Sequence, residues 1–345
     1  MIDTSQSIIH TVSVHIVGNS GRQEELKLSE RPLNIEGDML KKLLLTYFLS
    51  NFNAPEYYNF TFSNDDLTLN PIFRLAKEIF DHGDALHVNS INIAKHLYTS
   101  SQHPNIKSGD LYVAHFSGVT LDNRSLEAVG IFKSEKETYL KLRSESDQFN
   151  LGADEGVNIR KLDKGCLILN VAPAEGYKIL IVDNANKSDA QFWKHDFLNV
   201  KPWSDAFHHT HNFMNLTRQY VGDKLDEEFS VSKADKIDLL NRSMNFFKSR
   251  EQFNQTEFEA QVLSDADVIE SFRNYERTFM ADTDIAGNFE ISAQAVRRQA
   301  RVFKSVLKLD KNFHIYIHGN RELIEKGFDE IRNRHYYKIY FDQES

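Results

Sequence analysis

From His103-Pro104 onward the apolar residues change period, and the runs that follow lie too close together in sequence to pair in parallel. Residues 110–117, 126–133 and 138–143 alternate as strands do, separated only by short polar connections around Asp122-Asn123 and Ser134-Glu135. A parallel pair needs a crossover of about a dozen residues or more, so an antiparallel meander is expected. Residues 166–171 and 178–182 are apolar at successive positions. That pattern suits strands buried on both faces, and places them in the middle of the same sheet.

The segments before this sheet mix both periods. Residues 8–17 are rich in β-branched side chains and stop at Gly18-Asn19, which reads as a strand and turn. Residues 36–50 carry Met39, Leu40, Leu43, Leu44 and Tyr47 at helical spacing. A second helix opens at Asn70-Pro71, a capping residue before a proline, and a third is expected from a cap at Ser90, with Ile93, Ala94, Leu97 and Tyr98 on its face. Ser188 and Gln191 have capping-box spacing, and Lys201-Pro202-Trp203 reads as a boundary. Beyond it Ser204, Ser232, Thr256 and Ser264 are expected to cap helices.

A chain of 345 residues exceeds one typical domain. The expected class is α+β: an N-terminal mixed domain with a mainly antiparallel sheet over 1–200, a helical region over 201–290, and a small basic unit of hairpin, helix and strand over 291–345. No apolar run reaches the roughly 20 residues of a membrane-spanning helix, and MIDTSQSIIH lacks the features of a secretory signal, so a cytoplasmic protein without membrane contact is expected. The single cysteine, Cys166, lies in an apolar run and reads as a buried thiol.

Catalytic patterns are sparse. His208, His209 and His211, with His195 nearby, lack the cysteines or the HExxH spacing of a metal site and read as a polar helix start. Asp163, Glu175, Asp183 and Lys187 match the carboxylate-plus-lysine pattern of a metal-dependent nuclease poorly. No phosphate-binding glycine loop or GxSxG elbow is present. No catalytic residue, metal or cofactor is therefore assigned.

The net charge of −9 is unevenly spread: residues 291–345 hold 11 Lys and Arg against 7 Asp and Glu, whereas 1–290 hold 30 against 43. Residues 304–309 and 313–318, joined by Asp310-Lys311-Asn312, read as a hairpin with Leu309 opposite Phe313, Leu307 opposite Ile315, Lys308 opposite His314 and Val306 opposite Tyr316. Leu323, Ile324, Gly327, Phe328 and Ile331 have helical spacing, and 336–341 read as a last strand. A rival reading makes 292–309 one amphipathic helix. The outward residues are Arg297, Arg298, Arg301, Lys304, Lys308, His314, Tyr316, His318, Tyr336, Lys338 and Tyr340. Cations interleaved with flat rings are the ingredients of a nucleic-acid surface, and equally of an ordinary solvated sheet face.

The chain also resembles the bacterial 37-kDa nucleoid-associated protein family. The resemblance rests on Ile9-His10, on SINIAKHLY from Ser90 and HPNIKSGDL from His103, on KGCLIL from Lys164, and on FHIYIHG from Phe313. It implies nucleoid association without catalytic residues. The resulting expectation is a non-enzymatic nucleoid protein that contacts DNA through the C-terminal basic residues. A scaffold recruited through a protein partner is the alternative, a nuclease a third reading. Homo-oligomerisation is open, because the apolar helical faces could pack within or between subunits.

Overall fold

Side chains that alternate along the N-terminal strands are sorted to the two faces of one antiparallel sheet. The computed structural model describes residues 2–53, 56–63, 66–145, 148–184, 192–279, 286–303, 306–317 and 323–343, and the chain divides into two units, Met1–Trp203 and Ser204–Ser345. In the first unit the strands are β1 (Ile2–Asp3), β2 (Ile8–Val17), β3 (Leu26–Lys27), β4 (Tyr58–Phe60), β5 (Gly109–Leu121) and β6 (Arg124–Ser134). A separate ribbon of β7 (Glu137–Glu145) and β8 (Gln148–Gly156) follows, then β9 (Lys164–Leu169), β10 (Lys178–Asp183) and β11 (Val200–Pro202). The sheet order is β11-β4-β10-β9-β6-β5-β2-β3, with β1 added to β5.

Leu111, Val113, Val129, Ile131, Cys166, Ile168 and Ile179 belong to the core beneath α2 (Pro71–Asp81) and α3 (Leu86–Ser100). Ala114, Phe116, Ala128, Phe132, Leu167, Leu169 and Leu180 form the core beneath α1 (Asp38–Leu49), where Phe48 stacks on Phe132 at 4.4 Å. Each fully buried Leu or Phe contributes about 1.5–3 kcal/mol, so both layers hold the sheet. At Gly118 the register of β5 against β6 shifts; its φ of +74° and the Gln6 carbonyl, 2.5 Å from where a Cβ would stand, both require glycine.

Asn70 caps α2 as expected, accepting from the Ile72 and Phe73 amides. Its Nδ2 also donates to the carbonyls of Thr61, Leu198 and Asn199, so one buried amide joins three segments. Two expectations are corrected. Ser90 lies within α3 and caps nothing, because the helix starts a turn earlier, at Leu86; its hydroxyl donates to the His87 carbonyl and bonds His15 Nε2. The third strand of the meander, β7, leaves the sheet to pair with β8, and β9 takes the place beside β6. Every residue of β9 is buried, so its two apolar faces compete better for that central position. The Ser188 capping box lies outside the described residues.

The second unit is built on α4 (Ala206–Gln219), α5 (Lys233–Lys248), α6 (Ala266–Phe279) and α7 (Ala293–Ala300), with a small pair of strands, β12 (Gln252–Asn254) and β13 (Asn288–Glu290). Its core is an aromatic cluster in which Phe213 meets Phe253 at 4.3 Å and Phe258 at 5.0 Å, and Phe253 stacks on Phe289 at 4.5 Å. Ser232 caps α5 in a full capping box with Asp235. The other caps fall on neighbours of the expected residues. Asp205 replaces Ser204, Asn254 replaces Thr256, and Asp265 replaces Ser264 by accepting from the Asp267 and Val268 amides. In each case a carboxylate or amide acceptor outcompetes a hydroxyl one or two residues away.

At the C terminus β14 (Val306–Leu309) pairs with β15 (Phe313–Tyr316) in the expected register. The single helix over 292–309 is not formed, since α7 ends at Ala300. The helix expected from Leu323 to Ile331 is also corrected: β16 (Ile324–Asp329) pairs with β17 (Arg334–Ile339), so the chain closes with two hairpins instead of a hairpin, helix and strand. Gly327 lies opposite Tyr336, whose ring occupies the space a Cβ would take. Glycine disfavours a helix interior by about 1 kcal/mol, and here it makes room for the cross-strand ring. The apolar side of the hairpins is covered by α5, through Ile237 against Leu307, Ile317 and Ile324.

Candidate nucleic-acid interface

Ala295, Val296 and Gln299 are the buried side of α7, which leaves Arg297 and Arg298 outward and Arg301 exposed one turn on. Ser292 caps the helix by accepting from the Ala295 amide, and Gln299 Nε2 holds the helix to His211 of α4 at 3.0 Å from its Nδ1. Arg297 and Arg298 sit in the last turn, where the helix dipole favours cations, so they also have a purely structural reason to be there.

In the β14–β15 hairpin the two-residue period separates the faces. Leu307 and Ile315 turn toward α5, while Lys308, opposite His314, and Tyr316 are exposed. Asn241 of α5 fixes the end of β15 by donating to the Ile317 carbonyl at 3.0 Å. Both α7 and β14 pack on α5, which therefore carries both parts of the basic surface. Lys304 and His318 lie outside the described residues.

The β16–β17 hairpin behaves differently. Its register sets Arg334 opposite Asp329 and Lys338 opposite Glu325. Lys338 Nζ is 3.8 Å from the Glu325 carboxylate, and the Tyr340 hydroxyl donates to the same carboxylate at 2.9 Å. Bonding to Tyr340, with Glu325 adding to it, pushes the Lys338 ammonium above the ordinary lysine range. Lys338 and Tyr340 are exposed as expected, but they are engaged with an acid on the neighbouring strand. The C-terminal charge is thus segregated: residues 293–317 carry six Lys and Arg and one acid, and residues 318–345 carry five and six. Finding Glu325 needed the strand pairing, which the helical spacing of 323–331 concealed.

The weaker chemical readings come apart in space. Asp163 and Asp183 flank one end of the β9–β10 pair, and Glu175 lies in the turn at the other end, about six residues or 20 Å away along an extended strand. Asp183 pairs with Lys164 at 2.8 Å, Asp163 accepts from the Glu135 amide, and Lys187 lies outside the described residues. His208, His209 and His211 each have local partners: His208 bonds Asn212, His209 bonds Ser204, and His211 stacks on Phe207, while His195 is exposed. Among the described residues no three His, Cys, Asp or Glu are grouped to hold a metal ion, and no helix is long and apolar enough to cross a membrane. Burial pushes the Cys166 thiol far above the ordinary range.

Sequence reading missed two polar groupings, the first of them buried. Lys133 and Lys164 lie opposite each other on β6 and β9. Their parity with Ile131, Cys166 and Ile168 was a readable sign that both point inward. In the second unit Asn254, Gln255, Thr256, Glu259, Arg273, Gly287 and Asn288 line a polar cleft of about 250 Å³. Its charged groups satisfy one another: Arg273 clasps Glu259 with bonds of 2.9 and 2.6 Å, and Gln255 donates to Glu276 at 2.7 Å. Burial, reinforced by Glu259, raises the Glu276 carboxyl above its usual range.

Comparison with known proteins gives one broad match. A family model described as nucleoid-associated protein YejK covers residues 13–335. No match is found among curated proteins.

Proposed function

Because the chain belongs to the nucleoid-associated protein family, matched over residues 13–335, we propose that it is a non-enzymatic nucleoid protein that contacts DNA directly. The contact runs through α7 and the outer face of β14–β15. Charge segregation is the observation that supports this reading: six Lys and Arg against one acid within residues 293–317, in a chain of net charge −9. Cations on a firm support neutralise phosphates and release their counterions, and that term requires no base-specific contacts. Tyr316, 65% exposed, adds a flat ring beside Lys308 and His314. The acidic remainder repels DNA, which restricts contact to this surface.

The test is binding of a short duplex by the full chain across a salt series, compared with a variant carrying R297Q, R298Q, R301Q and K308Q. Affinity should fall linearly on a log–log plot, and the variant should lose up to about 3–4 units of slope, at roughly 0.9 per phosphate contact. Equal affinity and slope for the two proteins would overturn contact through this surface.

The acidic excess of residues 1–290, 30 Lys and Arg against 43 Asp and Glu, favours a second reading, in which a protein partner brings the chain to the nucleoid. That reading predicts no DNA affinity for the purified chain even at low salt, together with recovery of one defined protein complex.

A further inference from the structure

We propose that the β7–β8 ribbon is a surface through which two copies of this chain pair about a two-fold axis. The ribbon forms a sheet of its own, with Leu140 opposite Ala153, Leu142 opposite Leu151 and Ser144 opposite Phe149. The period of two directs all six side chains to one face. That face is uncovered: Leu140 is 74% exposed, Leu142 64%, Phe149 73% and Leu151 66%. The opposite face carries Tyr139, Lys141, Arg143, Asn150 and Asp154, with Lys141 paired to Asp154 at 3.2 Å. This is the division of a sheet that buries one side, and an isolated two-stranded ribbon is at best marginally stable in water.

The chemistry of the stripe identifies its occupant as a second copy. Its six residues carry no charge to meet DNA phosphates or a charged peptide, Glu155 standing on the same face only beyond the Leu140–Ala153 end, and the polar face carries both signs, so an oppositely charged partner has nothing to select. The stripe is also self-complementary. Leu142 and Leu151 form its centre, and each end holds one large and one small residue, Leu140 with Ala153 and Phe149 with Ser144. A two-fold axis through the centre brings unlike ends together and lets large side chains fall against small ones. The exposed part of these side chains amounts to about 500 Å² per copy, so face-to-face pairing would bury about 1,000 Å², the lower bound for a specific interface.

Sedimentation velocity of the full chain over a concentration series, beside a variant carrying L142K and L151K, tests this directly. The unaltered chain should reach a dimer, and the variant should dissociate at concentrations higher by about a hundredfold or more, as for loss of a central apolar anchor. A monomer at every soluble concentration, or a variant that dissociates where the unaltered chain does, would overturn the proposal. Should the double variant fold poorly, L142C decides the matter. Near a two-fold axis it should give a disulfide-linked dimer on mild oxidation, while the unaltered chain, whose Cys166 is buried, should not. Absence of that cross-link in a folded L142C chain also counts against the proposal, and is the result expected if another part of the same chain covers the ribbon.

Discussion

Lys164 Nζ and the Asp183 carboxylate meet at 2.8 Å across adjacent strands, with only 4% and 6% of their side chains exposed. In the same row, Lys133 lies on the other side of Lys164 and donates to the Lys107 carbonyl. A charge buried this deeply is stable only with its partner, because removing one leaves the other desolvated. Lys164→Met or Asp183→Asn should each lower unfolding free energy by about 3–5 kcal/mol, whereas Lys164→Met combined with Asp183→Leu should recover most of the loss. Urea denaturation of the three variants measures this; equal destabilisation by the single and double changes would contradict the pairing argument.

Stability should fall as the solution is acidified below neutrality, and His15 is a principal cause. The Ser29 amide donates to its Nδ1 at 3.1 Å, so Nε2 carries the proton and donates to Ser90 Oγ at 2.8 Å. Burial, then the neighbouring His87, lowers its pKa to about 4. The unfolded chain therefore binds more protons between pH 4 and 6.5; the contribution is complete above 6.5 and is lost as pH falls toward 4. Burial depresses His96 and His115 in the same direction. Melting temperatures at pH 7.5 and 5.0 should differ more for the unaltered chain than for His15→Gln.

Asn70→Ala should be costly for a residue with a small side chain. It removes the α2 cap and the donor shared by the Thr61, Leu198 and Asn199 carbonyls at 3.0–3.1 Å. A cap alone is worth about 0.5–2 kcal/mol, and the stranded buried acceptors should bring the total to about 2–4 kcal/mol. Chemical denaturation would reveal the difference, and Asn70→Asp, which keeps the cap acceptor but loses the donor, should separate the two parts.

Glu325 holds both Lys338 and Tyr340, so Glu325→Gln should act in the opposite direction to the arginine variants. If the second hairpin borders the DNA contact, the salt slope should steepen by up to about 0.9, the value of one added phosphate contact. An unchanged slope would limit the contact to α7 and β14–β15.

How far the sequence could be read depends on which interactions are local. The β14–β15 register was legible because Asp310-Lys311-Asn312 is short and its flanking residues alternate; Asp310 takes the left-handed φ of +50° that such a turn requires. The Leu323–Ile331 stretch was not, since its apolar positions follow a helical period and the choice of strand rested on Tyr336 packing over Gly327 from the next strand. Of the candidate contacts, the exposure of Arg297, Arg298, Arg301, Lys308, His314 and Tyr316 agrees with the sequence reading, while the engagement of Lys338 and Tyr340 by Glu325 depends on cross-strand register.

By itself the sequence determined the antiparallel character of the large sheet, the α2 cap at Asn70, and a basic C-terminal stretch in an acidic chain, because connection length, backbone capping and charge act over a few residues. Only the tertiary structure decided that β9 rather than β7 lies beside β6, that Lys164 is matched by Asp183, and that Glu325 engages Lys338 and Tyr340 across the last hairpin. Each of these depends on which residues meet across strands or buried layers, and a one-residue change of register would alter every such pairing.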